Sequence, residues 1–472
     1  MPNLEATHPH EELTEITIAQ LQAKMQSGEE TAKSLVEKYL DRIRTIDPQI
    51  SSVIELNPDA HIIALNLDRE RKEGNLRGPL HGIPVLIKDN IDTHDKMHTT
   101  AGSLALLEAP TPAQDAFIVQ LLRNAGAVII GKTNLSEWAN FRSTKSISGW
   151  SGRGGQTNNP YILDRNPCGS SSGTGAAISA NLAAVGVGTE TNGSIICPSL
   201  KCGLVGIKPT LGLVSRSGII PIAHTQDTAG PMTRTVTDAA ILLGALVGND
   251  PADPITAHSI SGHTDYTQFL NADGLNGARI GIARQFFGDN EQVNALLESH
   301  LQLLVNAGAT LIDVTFTIPD NFWDDEHEVL LCEFKADLNQ YLAARHAPYK
   351  NLAEVIQFNE DNKDREMPLF EQELFQQAQQ KADLQNDAYR QALHRLKLAT
   401  QEQGIDAIMA NHNLNAIVSL SGGGTWSLSA IAGYPHITVP AGFSEGLPIG
   451  LGFFGRAFSE PQLIKYAYAF EL

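Results

Sequence analysis

The stretch from Cys168 to Pro198 constrains the fold more than any other part of the chain. It opens with Gly169-Ser170-Ser171-Ser172-Gly173, a turn of small residues where backbone can approach a ligand closely. Thr174 to Ala184 is Ala-rich and free of Pro, which predicts a short helix. Ala184-Val185-Gly186-Val187-Gly188 then predicts a buried strand leading into Thr191-Asn192-Gly193-Ser194. A helix running out and a strand running back return Ser194 to the neighbourhood of Ser170. The helix covers about 17 Å, and about five strand residues recover a similar distance. Two serines 24 residues apart can therefore share one pocket. The Gly-rich approach to Ser194 would aim consecutive N–H groups at a developing oxyanion. Ser/Gly-rich segments are also commonly plain loops.

Composition narrows the partners. The 472 residues are 42% hydrophobic, enough for a sizeable core, in two or three domains or one large α/β unit. No apolar run reaches membrane-spanning length, and Met1-Pro2-Asn3-Leu4-Glu5 lacks the basic start and apolar core of a signal peptide. The net charge of −19 argues against nucleic acid or an anionic membrane as partner. Cys168, Cys197, Cys202 and Cys332 form no CxxC pair and no disulfide-framework spacing, which is consistent with a reducing compartment; cytoplasm is the expectation. Cys197, three residues past Ser194, is expected to be a buried packing residue.

Along the chain, Thr17 to Met25 reads as a helix stopped by Gly28, and Thr31 can cap a second helix through Ile46. Val85–Ile87 reads as a buried strand with Lys88 at its end. A lysine continuing such a run needs a reason, although it could also reach solvent or pair with Asp89. His94 and His98 have zinc-ligand spacing but sit among turn formers, which argues against a metal site. Gly126 to Thr133 matches the P-loop pattern, yet its variable residues are Ala-Val-Ile-Ile, a buried strand after a helix over Gln114 to Asn124. From Ser146 to Pro167 a Gly- and Asn-rich loop, including Trp150, suggests a pocket wall. The segments around Lys208, Ser215 and Gln226 to Pro231 read as element ends followed by turns.

Residues 248–275 read as a connector, and Arg279–Ala283 as renewed strand. Residues 325–403 are predominantly helical, with one long helix from Leu369 to a stop at Gly404 and a surface charge run at Glu360 to Glu366. Apolar strands are expected at Ala407–Met409, Ile437–Pro440 and Ile449–Phe454. Strands and helices alternating without repeats predict one large α/β layered fold.

Together, Gly82-Ile83-Pro84-Val85-Leu86-Ile87-Lys88-Asp89-Asn90, the Ser170 turn and Gly188-Thr189-Glu190-Thr191-Asn192-Gly193-Ser194 resemble the amidase signature family over nearly the whole chain. Within it, the loop from Trp150 to Gln156 and Asn166 to Gly173 look most like bacterial peptide amidases, which remove the C-terminal amide of peptides. The resemblance implies a single α/β domain (1–472) with a central mixed β-sheet flanked by helices on both faces. It places N-terminal helices at 1–70, a catalytic core at 71–245 and a helical insertion at 320–404 lining or covering the pocket. It further implies Ser194 as nucleophile, Ser170 on a cis peptide as bridging serine and Lys88 as base. Thr191, Asn192 and Gly193 would form the oxyanion hole, with Ser171, Gly169, Trp150 and Asp227 on the substrate side. No metal or cofactor is implied. The substrate is a small-molecule or peptide amide; the related alternatives are a general aliphatic or aryl amidase and an ammonia-supplying subunit of a tRNA-dependent amidotransferase. Two departures stand out. Asn192 replaces a frequent Asp or Gly, and Ala410-Asn411-His412 stands where the family has Ala-Pro-Thr after the late strand, which bears on the acyl pocket.

Overall fold

Local chemistry starts the first two helices. Thr17 accepts a hydrogen bond from Gln20 N and caps Ile18–Ser27, which Gly28 ends with a left-handed φ of 81°. Thr31 caps Ala32–Ile50, and Asp68 accepts from the N–H groups of Ala32 and Lys33, which have no partner within the helix at that start. The computed structural model describes residues 9–258, 263–420 and 422–472, so the expectation placed on Met1 to Glu5 lies outside the described residues.

Among these residues the strands are β1 (Val53–Leu56), β2 (Pro84–Lys88), β3 (Val128–Thr133), β4 (Trp150–Ser151), β5 (Gly155–Gln156), β6 (Val185–Glu190) and β7 (Val205–Lys208). They continue with β8 (Thr228–Thr233), β9 (Arg279–Ile282), β10 (Thr310–Asp313), β11 (Ala416–Leu420), β12 (His436–Ser444) and β13 (Leu447–Phe454). Eleven form one sheet in the order β1-β3-β2-β6-β8-β7-β12-β13-β11-β9-β10, while β4 and β5 make a separate hairpin. The sheet is mixed: β2 runs parallel to β3 and β6, whereas β8 runs antiparallel to β6 and β7. Apolar side chains of β2, β3 and β6 join the helices in one continuous core. A second cluster packs Leu331, Phe334 and Leu338 of the helix Phe322–Ala344 against Trp138, Ile220 and Ile222. The helix Phe117–Asn124 connects β2 to β3, and Ser172–Ser179 lies between β3 and β6, so the parallel trio presents its carboxyl ends together.

Several expectations need correction. The Ala-rich helix is shorter than Thr174 to Ala184: it spans Ser172–Ser179, and Asn181 beyond it turns left-handed with a φ of 57°. Ala407–Met409 is helical, within Asp406–Asn411, because three apolar residues do not distinguish strand from helix and the preceding helical turns run on into them. The late strand is β11, so Ala410-Asn411-His412 ends a helix and does not follow a strand. The single helix from Leu369 is broken into Glu373–Gln379 and Asp387–Lys397, where Asn386 caps the second piece by accepting from Ala388 N, and Gly404 kinks the chain without stopping it, since helical turns run on to Asn411. Within the run read as surface, Glu366 is fully buried and accepts from Ser103 Oγ and Leu104 N.

The turn expected before Pro231 is strand. Pro231 lies inside β8 opposite Val187, which is unusual for a central strand. Its other neighbour β7 pairs only from Met232 onward, so Pro231 lies past the β7 ladder. Gly230 beside it lies so close to the Ile207 carbonyl that a Cβ would collide with that oxygen. Gly230→Ala is therefore expected to destabilise the protein by roughly 3 kcal/mol, read as a lowered melting temperature; an unchanged melt would show that β7 and β8 can separate without cost.

Candidate active site

The parallel trio explains where the polar groups meet. β2 is buried along its whole length and delivers Lys88 at its carboxyl end, while β6 delivers Thr189 and Glu190 beside it. Lys88 Nζ donates to Ser170 Oγ at 2.7 Å, to Thr189 Oγ1 at 2.9 Å and to the Thr189 carbonyl at 3.3 Å. Asn90 Nδ2 donates to the same Thr189 hydroxyl at 2.9 Å. Thr189 is a partner that sequence reasoning missed. A threonine at the end of a Gly/Val strand was the available signal.

Burial drives the Lys88 ammonium down to about 7, against the opposing charges of Asp227 and Glu190. A near-neutral amine within hydrogen-bonding distance of a hydroxyl can exchange a proton with it. The bland alternatives for Lys88, solvent or Asp89, do not hold: its residue is 0% exposed, and Asp89 pairs with Arg153 and Thr100.

The Ser170 turn and the Ser194 loop touch directly. Ser171 N donates to the Ser194 carbonyl at 3.1 Å, and the Gly169–Ser170 peptide is cis. Gly169 has no room for a Cβ, which would strike the hydroxyls of Ser136 and Ser172. Ser170 is fully buried and Ser194 is 8% exposed. Ser171 is occupied structurally: its Oγ donates to the Thr189 carbonyl at 3.0 Å and accepts from Thr189 N at 3.1 Å.

Side chains from around the site fix the loop from Thr191 to Ser194. Glu190 accepts from Ile195 N at 2.7 Å and Ile196 N at 2.9 Å. Asp227 accepts from Thr191 Oγ1 at 2.6 Å and from the N–H groups of Ile222 and Ala223 at 2.8 and 2.9 Å. Burial raises Asp227 to about 6, against those hydrogen bonds. Asn192 Nδ2 donates to Glu326 at 2.5 Å, and Ser427 Oγ donates to Asn192 Oδ1 at 2.9 Å. Gly193 holds a φ of 84° beneath the Trp426 ring, where a Cβ would collide with the indole. Glu190, Glu326 and Trp426 were not anticipated. A glutamate ending a buried strand was a legible signal, whereas the other two come from distant helices.

Beside this loop lies a cavity of about 340 Å³ lined by Asn90, Thr191, Ile220, Asp227, Asp337 and Tyr341 among others. Asp337, Gln340, Tyr341 and Ala344 bring the helix Phe322–Ala344 into its wall. Trp150 sits in the β4–β5 hairpin with its ring against Phe370 and the Arg142 guanidinium. At the cavity rim His224, Glu333 and Asp337 offer ligand atoms within 4.8 Å of one another. Hydrogen bonds account for them: Glu333 accepts from Thr225 N, Thr225 Oγ1 and Tyr389 OH, and Asp337 from His224 N.

The other sequence patterns resolve as structure. Lys132 of the P-loop-like run lies in β3 and donates to the Ile91 carbonyl and Thr99 Oγ1, so those residues form no phosphate cradle. His98 Nδ1 sits 3.0 Å from Glu55, while His94 Nδ1 lies 2.9 Å from the Pro112 carbonyl. Cys168 and Cys197 are joined in a disulfide that the cysteine spacing does not indicate; Cys197 is buried as expected, but bonded and not merely packed. Residues 29 apart in sequence carry no spacing signal for this; the fold brings them together. Among the described residues no helix is long and apolar enough to cross a membrane.

A buried amine bonded to a serine hydroxyl can move a proton between the two groups, and likeness to known proteins defines the class of enzyme. The amidase family model matches residues 34–464. The peptide amidase of Stenotrophomonas maltophilia is 48% identical, with a TM-score of 0.95, over 97% of this chain and 96% of that one. Peptide amidase PAM in complex with the competitive inhibitor chymostatin is likewise 48% identical, with a TM-score of 0.95 over 98% of both chains. A glutamyl-tRNA(Gln) amidotransferase subunit from Thermoanaerobacter pseudethanolicus is 33% identical over 98% of this chain and 96% of its own. The chain belongs to the amidase family and is an amide-hydrolysing enzyme with the amidase signature fold.

Holding Lys88 dry has a measurable consequence. The folded chain gives up its proton near 7, whereas an unfolded lysine keeps it to about 10.4. The unfolded state therefore binds more protons across that window, and the stability contributed through Lys88 rises with pH there. Lys88→Met is expected to melt at or above the wild-type temperature at pH 7, with the advantage shrinking toward pH 10. A variant melting well below wild type at both values would show that the lysine stabilises the fold.

Proposed function

We propose that the enzyme hydrolyses the C-terminal amide of peptides, releasing ammonia, through a Ser194–Ser170–Lys88 triad. The observation that carries this reading is the 2.7 Å contact between Lys88 Nζ and Ser170 Oγ, on a turn bonded to the Ser194 loop. Serine is a weak nucleophile until a base takes its proton. Ser194 Oγ attacks the amide carbonyl while its proton passes to Ser170 and that of Ser170 passes to neutral Lys88. The resulting oxyanion is held by backbone N–H groups of Thr191, Asn192, Gly193 and Ser194, an interaction whose loss typically costs about 3 kcal/mol per donor. Collapse breaks the carbon–nitrogen bond, and Lys88 returns its proton through Ser170 to the leaving ammonia. Water then cleaves the acyl-enzyme by the same relay and frees the acid.

In this reading Ser171 and Asp227 shape the substrate side by fixing Thr189 and Thr191. Gly169 keeps the turn tight, and Trp150 stiffens the hairpin wall against Phe370. The peptide substrate is supported by the likeness to peptide amidases along almost all of both chains. The 33% identity to a glutamyl-tRNA(Gln) amidotransferase subunit along nearly the whole chain keeps ammonia supply to a partner as the second reading.

Incubation with a short peptide amide is expected to release ammonia and convert the amide to the acid by mass. Ser194→Ala should lower kcat by at least about a thousandfold with folding intact. Chymostatin, the competitive inhibitor of PAM, should compete with the peptide. Turnover of simple aliphatic or aryl amides alone would discard the peptide and keep the triad; full activity in Ser194→Ala would discard the triad.

A further inference from the structure

We propose that the Cys168–Cys197 disulfide is a positioning crosslink for the two serines, and that its reduction by a dithiol slows amide hydrolysis. This rests on the triad assigned above. Cys168 stands two residues before Ser170, and Cys197 three residues after Ser194. One covalent bond therefore ties the turn of the bridging serine to the loop of the nucleophile, with the two Cα atoms 5.8 Å apart. Both cysteines are built into those segments. The Cys168 carbonyl accepts from Ser172 Oγ at 2.6 Å, at the start of the helix leaving the turn. Cys197 N donates to the Gly193 carbonyl at 2.7 Å, closing the turn that contains Ser194.

Across the gap between the segments, the backbone hydrogen bond from Ser171 N to the Ser194 carbonyl is a weaker, reversible link. The helix Ser172–Ser179 and strand β6 fill the interval between the two serines, and the remaining ties across it, from Ser171 Oγ to Thr189 N and its carbonyl, are hydrogen bonds, so the disulfide is the covalent link between the two segments. Cutting the crosslink leaves the core packing untouched and lets the two loops drift relative to one another. A shift of about 1 Å between reacting groups is enough to cost up to a hundredfold in rate.

The two cysteine residues differ in exposure. Cys197 is 7% exposed, while Cys168 is more open at the surface of its turn. A thiolate of the dithiol attacks Cys168 Sγ, forms a mixed disulfide and expels Cys197 as a thiolate, which takes up a proton. The second thiol of the reductant then displaces Cys168. The net change is one protein disulfide and one dithiol giving two protein thiols and one oxidised dithiol. A bond in this position suits an oxidising compartment, and it makes activity follow the thiol–disulfide poise of the surroundings.

The test treats the full-length wild-type enzyme with dithiothreitol and follows three readouts. Alkylation and mass spectrometry count the new thiols at Cys168 and Cys197. Steady-state kinetics give kcat and KM on a peptide amide and on an aryl amide. Intact mass follows the rate at which a fluorophosphonate labels Ser194, which does not depend on the substrate reading. The expected result is a fall in kcat of about tenfold or more on any amide turned over, with KM nearly unchanged. Labelling should slow in parallel, and activity should return on reoxidation. Cys168→Ala with Cys197→Ala should reproduce the reduced kcat and ignore dithiothreitol, whereas Cys332→Ser should keep the wild-type response. Reduction with kcat and labelling unchanged would overturn the proposal. So would loss of activity that tracks loss of the circular dichroism signal, which would make the bond a staple for the fold. Failure on the peptide amide with a preserved reductant response on the aryl amide would reject the peptide and leave the crosslink standing.

Discussion

A lysine amine held in a dry place beside a serine hydroxyl is the constraint on which this molecule turns. An ammonium there would be strongly disfavoured, and burial pushes Lys88 down to about 7. That requires β2 to lie between two other parallel strands with no route to solvent, which the order β3-β2-β6 provides. It also requires acceptors that satisfy the amine without a carboxylate in contact. Ser170 Oγ, Thr189 Oγ1 and the Thr189 carbonyl meet that need. A directly bonded carboxylate would stabilise the ammonium and keep the amine charged.

The same restraint on charge recurs around the Ser194 loop. Glu190, Asp227 and Glu326 are buried carboxyl groups, each raised by burial and each tied to an N–H or a polar side chain of the loop. They hold Thr191 to Ser194 in shape from three directions without touching Lys88 Nζ. Lys208 lies on the far side of this cluster, where burial draws it down to about 8 against the charges of Glu190 and Glu460. Buried polar groups of this kind specify one arrangement at a cost in stability. Here they stiffen the segment from Thr191 to Ser194.

What was legible in the sequence followed the distance over which its signals act. Lys88 at the end of an apolar run, Thr31 as a cap and the Gly/Ser turn at Ser170 are local patterns, and the structure carries each of them. The P-loop match dissolved for an equally local reason, since Ala-Val-Ile-Ile is a strand and Lys132 is consumed inside it. The disulfide between Cys168 and Cys197, the burial of Glu366 and the contacts of Glu326 and Trp426 join segments far apart in sequence. No periodicity or spacing encodes them. Short segments failed in their own way: Ala407–Met409, which reads as strand, is helix, and Gln226 to Pro231, which reads as an element end and turn, runs into the strand Thr228–Thr233, because tertiary packing decides such cases. Family resemblance supplied what spacing could not, namely the expectation that Ser170 and Ser194 work with Lys88.

The most direct test of this account is the pH dependence of kcat/KM for amide hydrolysis, measured for wild type and for Lys88→Arg. A base that works only when neutral makes activity fall as pH drops, so the profile should rise through a single acid limb with its midpoint near 7. Arginine stays charged, so the variant should lack that limb along with nearly all activity. A wild-type profile flat between pH 6 and 9, or an Arg variant that retains the limb, would contradict the claim that Lys88 is the base.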